Sequence, residues 1–397
     1  MTAFVLLDHR RGEETSDALA PITTARPLAE VRVGARLVRE RWAAALAMPV
    51  TGVIAATRLA GFDEPGSAPV LRDDDMLDPG TVIASSHFAP SLQPVARGNN
   101  DTWTHQGAVI AATLSRRTSV GEVRAFGIVA AERSGPINGW MLEHAWDVIG
   151  HLPAMLGADA LLIARSDLPG VIPADVRVLG DFPVRIAESA VVEPFVVLDA
   201  THGAIVLESG SVVRSFSRLT GPFVLGAHSQ WVTGSGHTSS IGDHCKVGGE
   251  VSTSILCGHA NKGHDGFLGH SYLGRWTNLG AGTVTSNLKN TYGPVSFAGE
   301  ETGLQFLGSL IGDHAKTGIL TRLNTGSSIG AGANVISDDV VPRMVPSFAF
   351  GYKGERYDRT RFFETAVRVM ARRQVTMSVS MRACLAAVYD ATAAHAG

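Results

Sequence analysis

Residues 311–335 read IGDHAKTGILTRLNTGSSIGAGANV, and five residues in this stretch recur with a period of six: Ile311, Thr317, Leu323, Ile329 and Val335. Glycine follows at positions 312, 318 and 330. A period of six fits neither an α-helix nor an ordinary strand, but it is typical of a chain that winds around a triangular prism with one inward residue on each short face. The stretch therefore predicts a parallel β-helix built from hexapeptide repeats.

The same spacing extends upstream, with interruptions. It recurs at Ile186, Val192 and Leu198, at Val206 and Val212, at Ile241, Val247 and Thr253, and at Phe267, Leu273 and Leu279. Breaks at residues 200–205, 254–266 and 286–310 predict loops that leave the prism, where binding groups tend to lie. We expect the β-helix over residues 171–345.

The two flanking regions have different patterns. Residues 1–170 alternate strand-like runs, at 4–7, 53–56, 81–85 and 109–112, with helix-like runs at 28–47 and 139–156. This alternation predicts an α/β domain with a mostly parallel sheet. The tail, 346–397, is predicted to be helical from about 359 to 395 and to pack against the end of the prism. The alternative is that its arginines contact a neighbouring subunit or the phosphate of an acyl carrier.

Composition excludes several classes of protein. The net charge of −3 over 397 residues shows no basic stripe, so neither a nucleic-acid partner nor a membrane surface is expected. The cysteines, Cys245, Cys257 and Cys384, form no CxxC pair, which disfavours a disulfide framework and a thiolate zinc site. No apolar run is long enough to span a bilayer. We expect a cytoplasmic protein.

One histidine has the surroundings of a catalytic base. Acyl transfer to an amine needs a group that takes the amine proton and a donor to the oxyanion that develops on the thioester. His264 lies in a glycine-flanked loop just before the repeat resumes at Phe267, and backbone N–H groups at Gly280-Ala281-Gly282 could serve as the donor. His270 falls within the repeat that begins at Phe267, so it is expected to be a wall residue of the prism.

The run from Lys262 to Asn287, KGHDGFLGHSYLGRWTNLGAGTVTSN, carries a family resemblance. It resembles the acetyltransferase half of the bifunctional bacterial UDP-N-acetylglucosamine diphosphorylase / glucosamine-1-phosphate N-acetyltransferase family. That half reads Lys-x-Gly-His-x-x-Tyr-Leu-Gly and then Asn-Ile-Gly-Ala-Gly-Thr. The chain is more similar to a divergent bacterial branch of that family, and this resemblance implies a shortened sugar-nucleotidyltransferase-like N-terminal domain followed by a hexapeptide-repeat left-handed parallel β-helix. Segments 24–34, 248–251, 303–308 and 370–373 also fit this branch.

The resemblance implies roles for individual residues. It implies His264 as the general base, the Ala281 amide as the oxyanion donor, and Gly318 and Ile319 beside the coenzyme A pantetheine. It further implies that the substrate is bound by Asn278, Asn287, Lys262 and Phe267. The sequence also departs from the family pattern: Ser252 replaces a phosphate-binding lysine, Phe267 and Leu288 replace two sugar-binding tyrosines, and Ile319 replaces a serine.

The start of the chain lacks the glycine-rich loop of familiar sugar nucleotidyltransferases. The segment Leu7-Asp-His-Arg10-Arg11-Gly12 takes its place, and Arg10, Arg11, Arg26 and Arg32 could bind nucleotide phosphates in a bidentate manner. The alternative is that Arg26 and Arg32 form structural ion pairs, for example with Glu30. Residues 73–75, three aspartates, could bind Mg²⁺ or simply be solvated.

A metal site is a competing interpretation of the histidines. His259 and His264 are five residues apart, as in the histidine pair of hexapeptide-repeat carbonic anhydrases, and His237 or His244 could be a third zinc ligand. The glycine-rich continuation from Gly280 to Asn287 instead follows the acetyltransferase pattern. We therefore expect no metal at His264.

The sequence thus predicts a transferase of sugar-nucleotide biosynthesis, trimeric through its β-helix. It would transfer acetyl from acetyl-CoA to an amino sugar phosphate or a nucleotide-linked amino sugar, with possible Mg²⁺-dependent transfer from UTP or dTTP onto a sugar 1-phosphate. One alternative is a nucleotidyltransferase whose β-helix only oligomerises or regulates. Another is a non-catalytic trimeric scaffold.

Overall fold

The structure of the chain is a computed structural model, and it describes residues 3–9, 19–96, 98, 101–166, 171–352 and 355–395. The strands of the N-terminal domain are β1 (Phe4–Leu7), β2 (Arg32–Val33), β3 (Arg36–Leu37), β4 (Gly52–Ile54), β5 (Met76–Leu77), β6 (Val82–Ser85), β7 (Phe88–Pro90), β8 (Asp101–His105), β9 (Ala108–Thr113), β10 (Thr118–Ser119), β11 (Arg133–Pro136) and β12 (Gly139–Met141). The α-helices of the chain are α1 (Val38–Leu46), α2 (Val120–Phe126), α3 (Asp147–Gly150), α4 (Leu152–Ser166), α5 (Arg359–Ala371) and α6 (Val379–Ala391). Short 3₁₀ turns occur at Leu28–Glu30, Thr57–Leu59 and Thr392–His395.

The N-terminal domain is built on a mixed six-stranded sheet with the order β11-β8-β9-β6-β1-β4. β1 pairs in parallel with β4 and β6, whereas β9 is antiparallel to both of its neighbours. The α/β class is confirmed. The sheet is less parallel than expected, because β8 and β9 are consecutive strands paired as a hairpin.

Two of the predicted helices in this domain are shorter than expected. The segment 28–47 becomes helical only at Val38, because the β2–β3 hairpin precedes it and turns at Gly34, whose φ is 55°. The segment 139–156 begins as strand β12 and becomes helical at Asp147. Val31, Val33 and Ala35 of this hairpin are all buried. Their apolar side chains therefore continued the helix-like pattern of the following segment, and the hairpin was not predicted.

A left-handed parallel β-helix follows, as predicted. Its strands form three faces. The first, which we call the docked face, contains nine strands: Val184–Ile186, Ile205–Leu207, Phe223–Leu225, Ser240–Ile241, Ile255–Leu256, Tyr272–Leu273, Ser309–Ile311, Ser327–Ile329 and Met344–Val345. The second face contains Val191–Val192, Val212–Val213, Asn261–Lys262, Lys316–Thr317 and Asn334–Val335. The third contains Arg177–Leu179, Val197–Asp199, Arg218–Thr220, Phe267–Gly269, Val284–Thr285, Arg322–Leu323 and Val340–Val341. The long strands Gln230–His237 and Lys246–Ser252 run across the second and third faces.

Most hexad residues point into the prism. Val206 instead faces outward into the core of the N-terminal domain, and Val212 is half-buried while its neighbour Val213 is fully buried. All five residues of the 311–335 repeat are buried. At 267 the register shifts by one, so Leu268 is the buried residue and Phe267 is half-buried on the outside. Of the predicted loops, 254–266 belongs to the β-helix, because it contains the strands Ile255–Leu256 and Asn261–Lys262 and the short corners 257–260 and 263–266. Residues 286–308 do leave the prism and contain a hairpin, Ser296–Phe297 with Glu300–Glu301.

The N-terminal domain packs directly against the docked face. Helix α4 lies over Ile205–Leu207 and Phe223–Leu225. Outward residues of this face belong to the same hydrophobic core as the N-terminal domain: Val206, Val224, Ile255, Tyr272 and Leu310. The two domains therefore share one core, and only the second and third faces of the prism remain uncovered by it.

The C-terminal tail forms two helices, α5 and α6, instead of one. Phe362 of α5 packs edge-on against Phe348 at the end of the prism, with ring centroids 4.9 Å apart. Helix α6 contacts the 3₁₀ turn Thr57–Leu59 of the N-terminal domain. In the described portion of the chain, no helix is both long and apolar enough to traverse a bilayer.

Candidate active site

Successive turns of the β-helix bring several predicted site residues onto one edge. This edge, which we call the far edge, separates the second and third faces and lies opposite the docked face. His264 lies there, in the loop between Asn261–Lys262 and Phe267–Gly269. The next turn passes through Ala281 at the same edge, and the turn after that passes through Gly318 and Ile319. Hydrogen bonds stack these turns: Gly282 N donates to Asp265 O at 3.1 Å, and Leu320 N donates to Ala281 O at 2.7 Å.

The imidazole of His264 is exposed, and its ring makes no hydrogen bond with any residue that the structure describes. Its loop is nevertheless fixed. Lys262 is 2% exposed, and its ammonium donates to the carbonyls of His264 and Gly248. Burial lowers the pKa of Lys262 to about 8. The structure thus places Lys262 beneath the loop, where it holds the backbone of His264.

The Ala281 amide, predicted to be the oxyanion donor, has an N–H that is available to an external acceptor. Within the described ranges its N–H has no hydrogen-bond acceptor, whereas its carbonyl is bonded to Leu320. Gly280 must be glycine because a Cβ there would collide with the backbone of Gly318 and Ile319. This close stacking brings the coenzyme-binding candidates, Gly318 and Ile319, next to the turn that carries Ala281.

Phe267 and Asn287 lie together on the third face. A Cβ on Gly269 would collide with both the Phe267 ring and the Asn287 amide, which shows that these side chains flank the glycine. The Asn287 Nδ2 donates to His270 Nδ1 at 2.8 Å, and the His270 ring stacks on Phe306 with centroids 5.2 Å apart. Burial lowers the pKa of His270 to about 4. His270 is thus a corner residue, with φ of 48°, and not a wall residue.

Asn278 lies on a different face from Asn287. It belongs to the second face, where its Oδ1 accepts a hydrogen bond from Asn261 Nδ2 at 2.6 Å. The backbone of Asn278 also forms a parallel β-bridge with that of Lys316 in the following turn. The two asparagines thus lie on different faces, and Asn287 is beside His270, at the corner between the third face and the docked face.

The position of Ser252 is lined by neutral or weakly basic groups. Ser252 is 4% exposed and lies between His237 and Gly269 in the register of the third face. Burial lowers the pKa of His237. Neither of the residues paired with Ser252 is a lysine or an arginine. At this level of the third face, no basic side chain replaces the phosphate-binding lysine of the family pattern.

The zinc alternative is not supported by the geometry. Among the described residues, the group whose ligand atoms lie close enough to share an ion is Asp243, His244 and His259. His264 is not part of it, because His259 and His264 occupy different corners of the prism. Arg275 already engages this group: its Nη2 donates to His259 Nδ1 at 2.7 Å, and its guanidinium pairs with Asp243 at 3.2 Å. The Arg275 guanidinium thus occupies the position beside His259 and Asp243 that a metal ion would need.

The four arginines predicted to bind nucleotide do not form one described phosphate-binding group. Arg10 and Arg11 lie outside the described residues. Arg26 is 1% exposed and pairs with Asp313 at 2.8 Å and Glu64 at 3.2 Å, so the structure favours the ion-pair alternative, with other partners than Glu30. Arg32 is also buried, at the junction of the two domains, where its Nε donates to Ser240 Oγ at 2.8 Å.

The aspartates at 73–75 form surface contacts. Asp73 pairs with Arg124 at 2.9 Å, and Asp75 accepts a hydrogen bond from Arg72 N. Asp74 is exposed. They are therefore not gathered around a common point, and the Mg²⁺ expectation has no preformed site in this segment.

Sequence reasoning missed one acidic residue of the N-terminal domain. Asp8 directly follows β1, and its carboxylate accepts hydrogen bonds from the N–H groups of Leu28 and Ala29. Burial raises the pKa of Asp8 to about 7. The signal in the sequence was an acidic residue at the carboxyl end of a buried strand, the position at which α/β sheets bind ligands.

Comparisons with known proteins agree with this architecture. Residues 12–167 match a family model described as sugar nucleotidyl transferase. The chain is 30% identical over 172 residues to the bifunctional protein GlmU of Jannaschia sp. (strain CCS1), covering 42% of this chain and 34% of that protein. It is 30% identical over 180 residues to GlmU of Bartonella quintana, covering 43% and 36%. The matches therefore span about a third of the length of these relatives.

Proposed function

We propose that this chain, similar over part of its length to the bifunctional GlmU proteins, is a transferase of sugar-nucleotide biosynthesis. Its β-helix would transfer acetyl from acetyl-CoA to the amine of an amino sugar phosphate or a nucleotide-linked amino sugar. The observation that carries the proposal is the far edge. There the free imidazole of His264 lies one turn before an unpaired Ala281 N–H.

These two groups supply the two functions that the reaction needs. The His264 imidazole takes a proton from the amine as its nitrogen attacks the thioester carbonyl and the C–N bond forms. The Ala281 N–H donates to the oxygen of the resulting tetrahedral intermediate. The C–S bond then breaks, and His264 returns the proton to the departing thiolate of coenzyme A. The products are the amide and free coenzyme A.

The neighbouring residues would bind the two substrates. Phe267 and Asn287 flank Gly269 on the third face and would contact the amino sugar. Gly318 and Ile319 continue the far edge beyond Ala281 and would contact the pantetheine. Asn278 would contact one of the substrates from the second face.

A homotrimer fits the distribution of apolar surface. Large apolar side chains are exposed along the far edge: Phe195 (65%), Phe216 (79%), Ile319 (71%) and Leu320 (69%). A row of exposed apolar residues on a rigid prism is typical of a protein–protein interface. Association at this edge would place a second prism against His264 and enclose the site.

A second activity, nucleotidyl transfer, is favoured by the match of residues 12–167 to sugar nucleotidyl transferases. It would use UTP or dTTP with a sugar 1-phosphate, and it would need Mg²⁺. Asp8 is the candidate acidic group, since it lies at the carboxyl end of β1. Arg10 and Arg11 would bind phosphate in this activity.

Coenzyme A release tests the acetyl transfer. Native protein would be assayed with acetyl-CoA and a panel of amino sugar phosphates, beside His264→Ala and the control His202→Ala, which removes another exposed histidine. We expect His264→Ala to lower turnover by at least about a hundredfold. Full activity in His264→Ala would overturn the mechanism. Pyrophosphate release tests the second activity, and absence of turnover in both assays would favour a scaffold.

A further inference from the structure

A cleft of about 420 Å³ lies at the junction of the two domains. One wall is helix α1, with Glu40 and Ala44, and the opposite wall is a corner of the β-helix, with Ala227 and Asp243. Arg32 also lines the cleft. The cleft is on the docked side of the prism, away from the far edge and His264, so it is a separate site from the proposed acetyltransferase centre.

Arg32 is a buried cation that forms no direct ion pair with a described carboxylate, although Glu40 and Asp243 are close enough to act on it electrostatically. Its side chain is about 94% buried, since only 6% is exposed, yet its one hydrogen bond runs from Nε to the neutral hydroxyl of Ser240. Within the described ranges, no carboxylate forms an ion pair with it. Its two terminal Nη groups therefore have donors available for an acceptor in the cleft.

The other buried arginines that the structure describes all form ion pairs with carboxylates. Arg26 pairs with Glu64 and Asp313, Arg41 pairs with Asp159, and Arg275 pairs with Glu64 and Asp243. Each satisfies the rule that a buried charge needs an opposite charge. Arg36, on the rim of the same cleft, is neutralised by Glu208 at 3.0 Å. Among the described buried arginines, Arg32 is the one that forms no ion pair with a carboxylate.

We propose that this cleft binds a phosphorylated small molecule, with the Nη groups of Arg32 donating to the phosphate oxygens. A guanidinium matches a phosphate in a bidentate manner, and the volume is that of a small-ligand pocket. The carboxylates of Glu40 and Asp243 in the same lining provide acceptors for hydroxyl groups. They favour a sugar phosphate over inorganic phosphate. Because α1 and the prism form opposite walls, an occupant would also tie the two domains together.

Calorimetric titration of the full chain with glucose 6-phosphate and with inorganic phosphate, at constant ionic strength, tests the proposal. We expect one saturable site per chain, with tighter binding of glucose 6-phosphate. Arg32→Met should weaken binding at least tenfold, and Arg32→Lys less. Asn287→Ala, which removes a proposed sugar contact of the acetyltransferase site, should leave the affinity unchanged, and this separates the cleft from that acceptor site.

A second variant guards against misfolding of Arg32→Met. Ala44→Phe adds a ring to the exposed wall of α1 and should block the cleft without touching the buried arginine. Circular dichroism would check that both variants are folded. No saturable binding by native protein would overturn the proposal, and so would an unchanged affinity in folded Arg32→Met or in Ala44→Phe.

Discussion

The ammonium of Lys262 donates a hydrogen bond to the backbone carbonyl of His264, two residues along the chain. A second bond, 3.0 Å long, joins it to the carbonyl of Gly248 in the preceding turn. A buried cation therefore fixes the backbone of the loop that carries the proposed base. A residue predicted to contact substrate is thus placed to position the proposed catalytic histidine.

Lys262→Met should destabilise the protein and lower kcat. The substitution leaves two carbonyls in a buried position without their donor, which costs about 1–3 kcal/mol. It also frees the His264 loop, so we expect kcat to fall while KM for acetyl-CoA changes little. Urea unfolding and coenzyme A release would measure the two effects. The control is Lys246→Met, an exposed lysine in the preceding turn of the same face. Equal effects of the two substitutions would contradict the positioning role.

Arg26→Met should act on stability and not on nucleotide binding. The substitution leaves the buried carboxylate of Asp313 without its cation and Glu64 with Arg275 as its remaining ion-pair partner, and breaking a buried pair in this way costs roughly 3–5 kcal/mol. Chemical unfolding would measure the loss, with Arg322→Met as the control, because Arg322 is half-exposed and its contact with Asp339 is at the surface. Near-native stability combined with a raised KM for nucleotide would restore the phosphate-binding interpretation.

The hexad repeat was sufficient to predict the β-helix, because the inward positions of a prism are set by local spacing alone. The docking of the N-terminal domain was not predicted, although it left a signal: Val206 and Tyr272 are outward residues on the docked face and are apolar, whereas the outward Asn261 and Asn278 of the second face are polar. The buried partners of Arg26 could not be predicted, since Asp313 is 287 residues away along the chain. Long-range ion pairs have no period to detect.

His314 ends a stack of rings that runs through His244, His259 and Trp276, and it should make stability depend on pH. His314 is 2% exposed between Trp276 and Phe362, and neither ring nitrogen has a hydrogen-bond partner among the residues that the structure describes. Burial lowers its pKa to about 3 from an ordinary value of 6.5. Between these values the unfolded chain binds a proton that the folded chain does not. Stability from this group is therefore present above pH 6.5 and is lost as the pH falls towards 3.

His314→Phe should remove this dependence. Relative to native protein, the variant should gain about 2 kcal/mol between pH 7 and pH 5, the contribution of one imidazole with these two pKa values. Urea unfolding across this range would measure the difference. The control is Trp276→Phe, which changes the adjacent ring of the stack without removing a titrating group. A constant difference between His314→Phe and native protein at all pH values would show that His314 takes up its proton while folded.

Leu320→Asp should break the oligomer that we propose at the far edge. Leu320 is 69% exposed and adjoins Ile319, so a carboxylate there would be buried without a partner on association, which is costly. We expect light scattering to show trimers for native protein and monomers for the variant, together with a loss of acetyl transfer, because the His264 site would no longer be enclosed. The control is Val379→Asp, an 88% exposed apolar residue at the start of α6, away from this edge. A monomeric native protein with full acetyltransferase activity would separate the activity from assembly and leave the apolar row of the far edge to another partner.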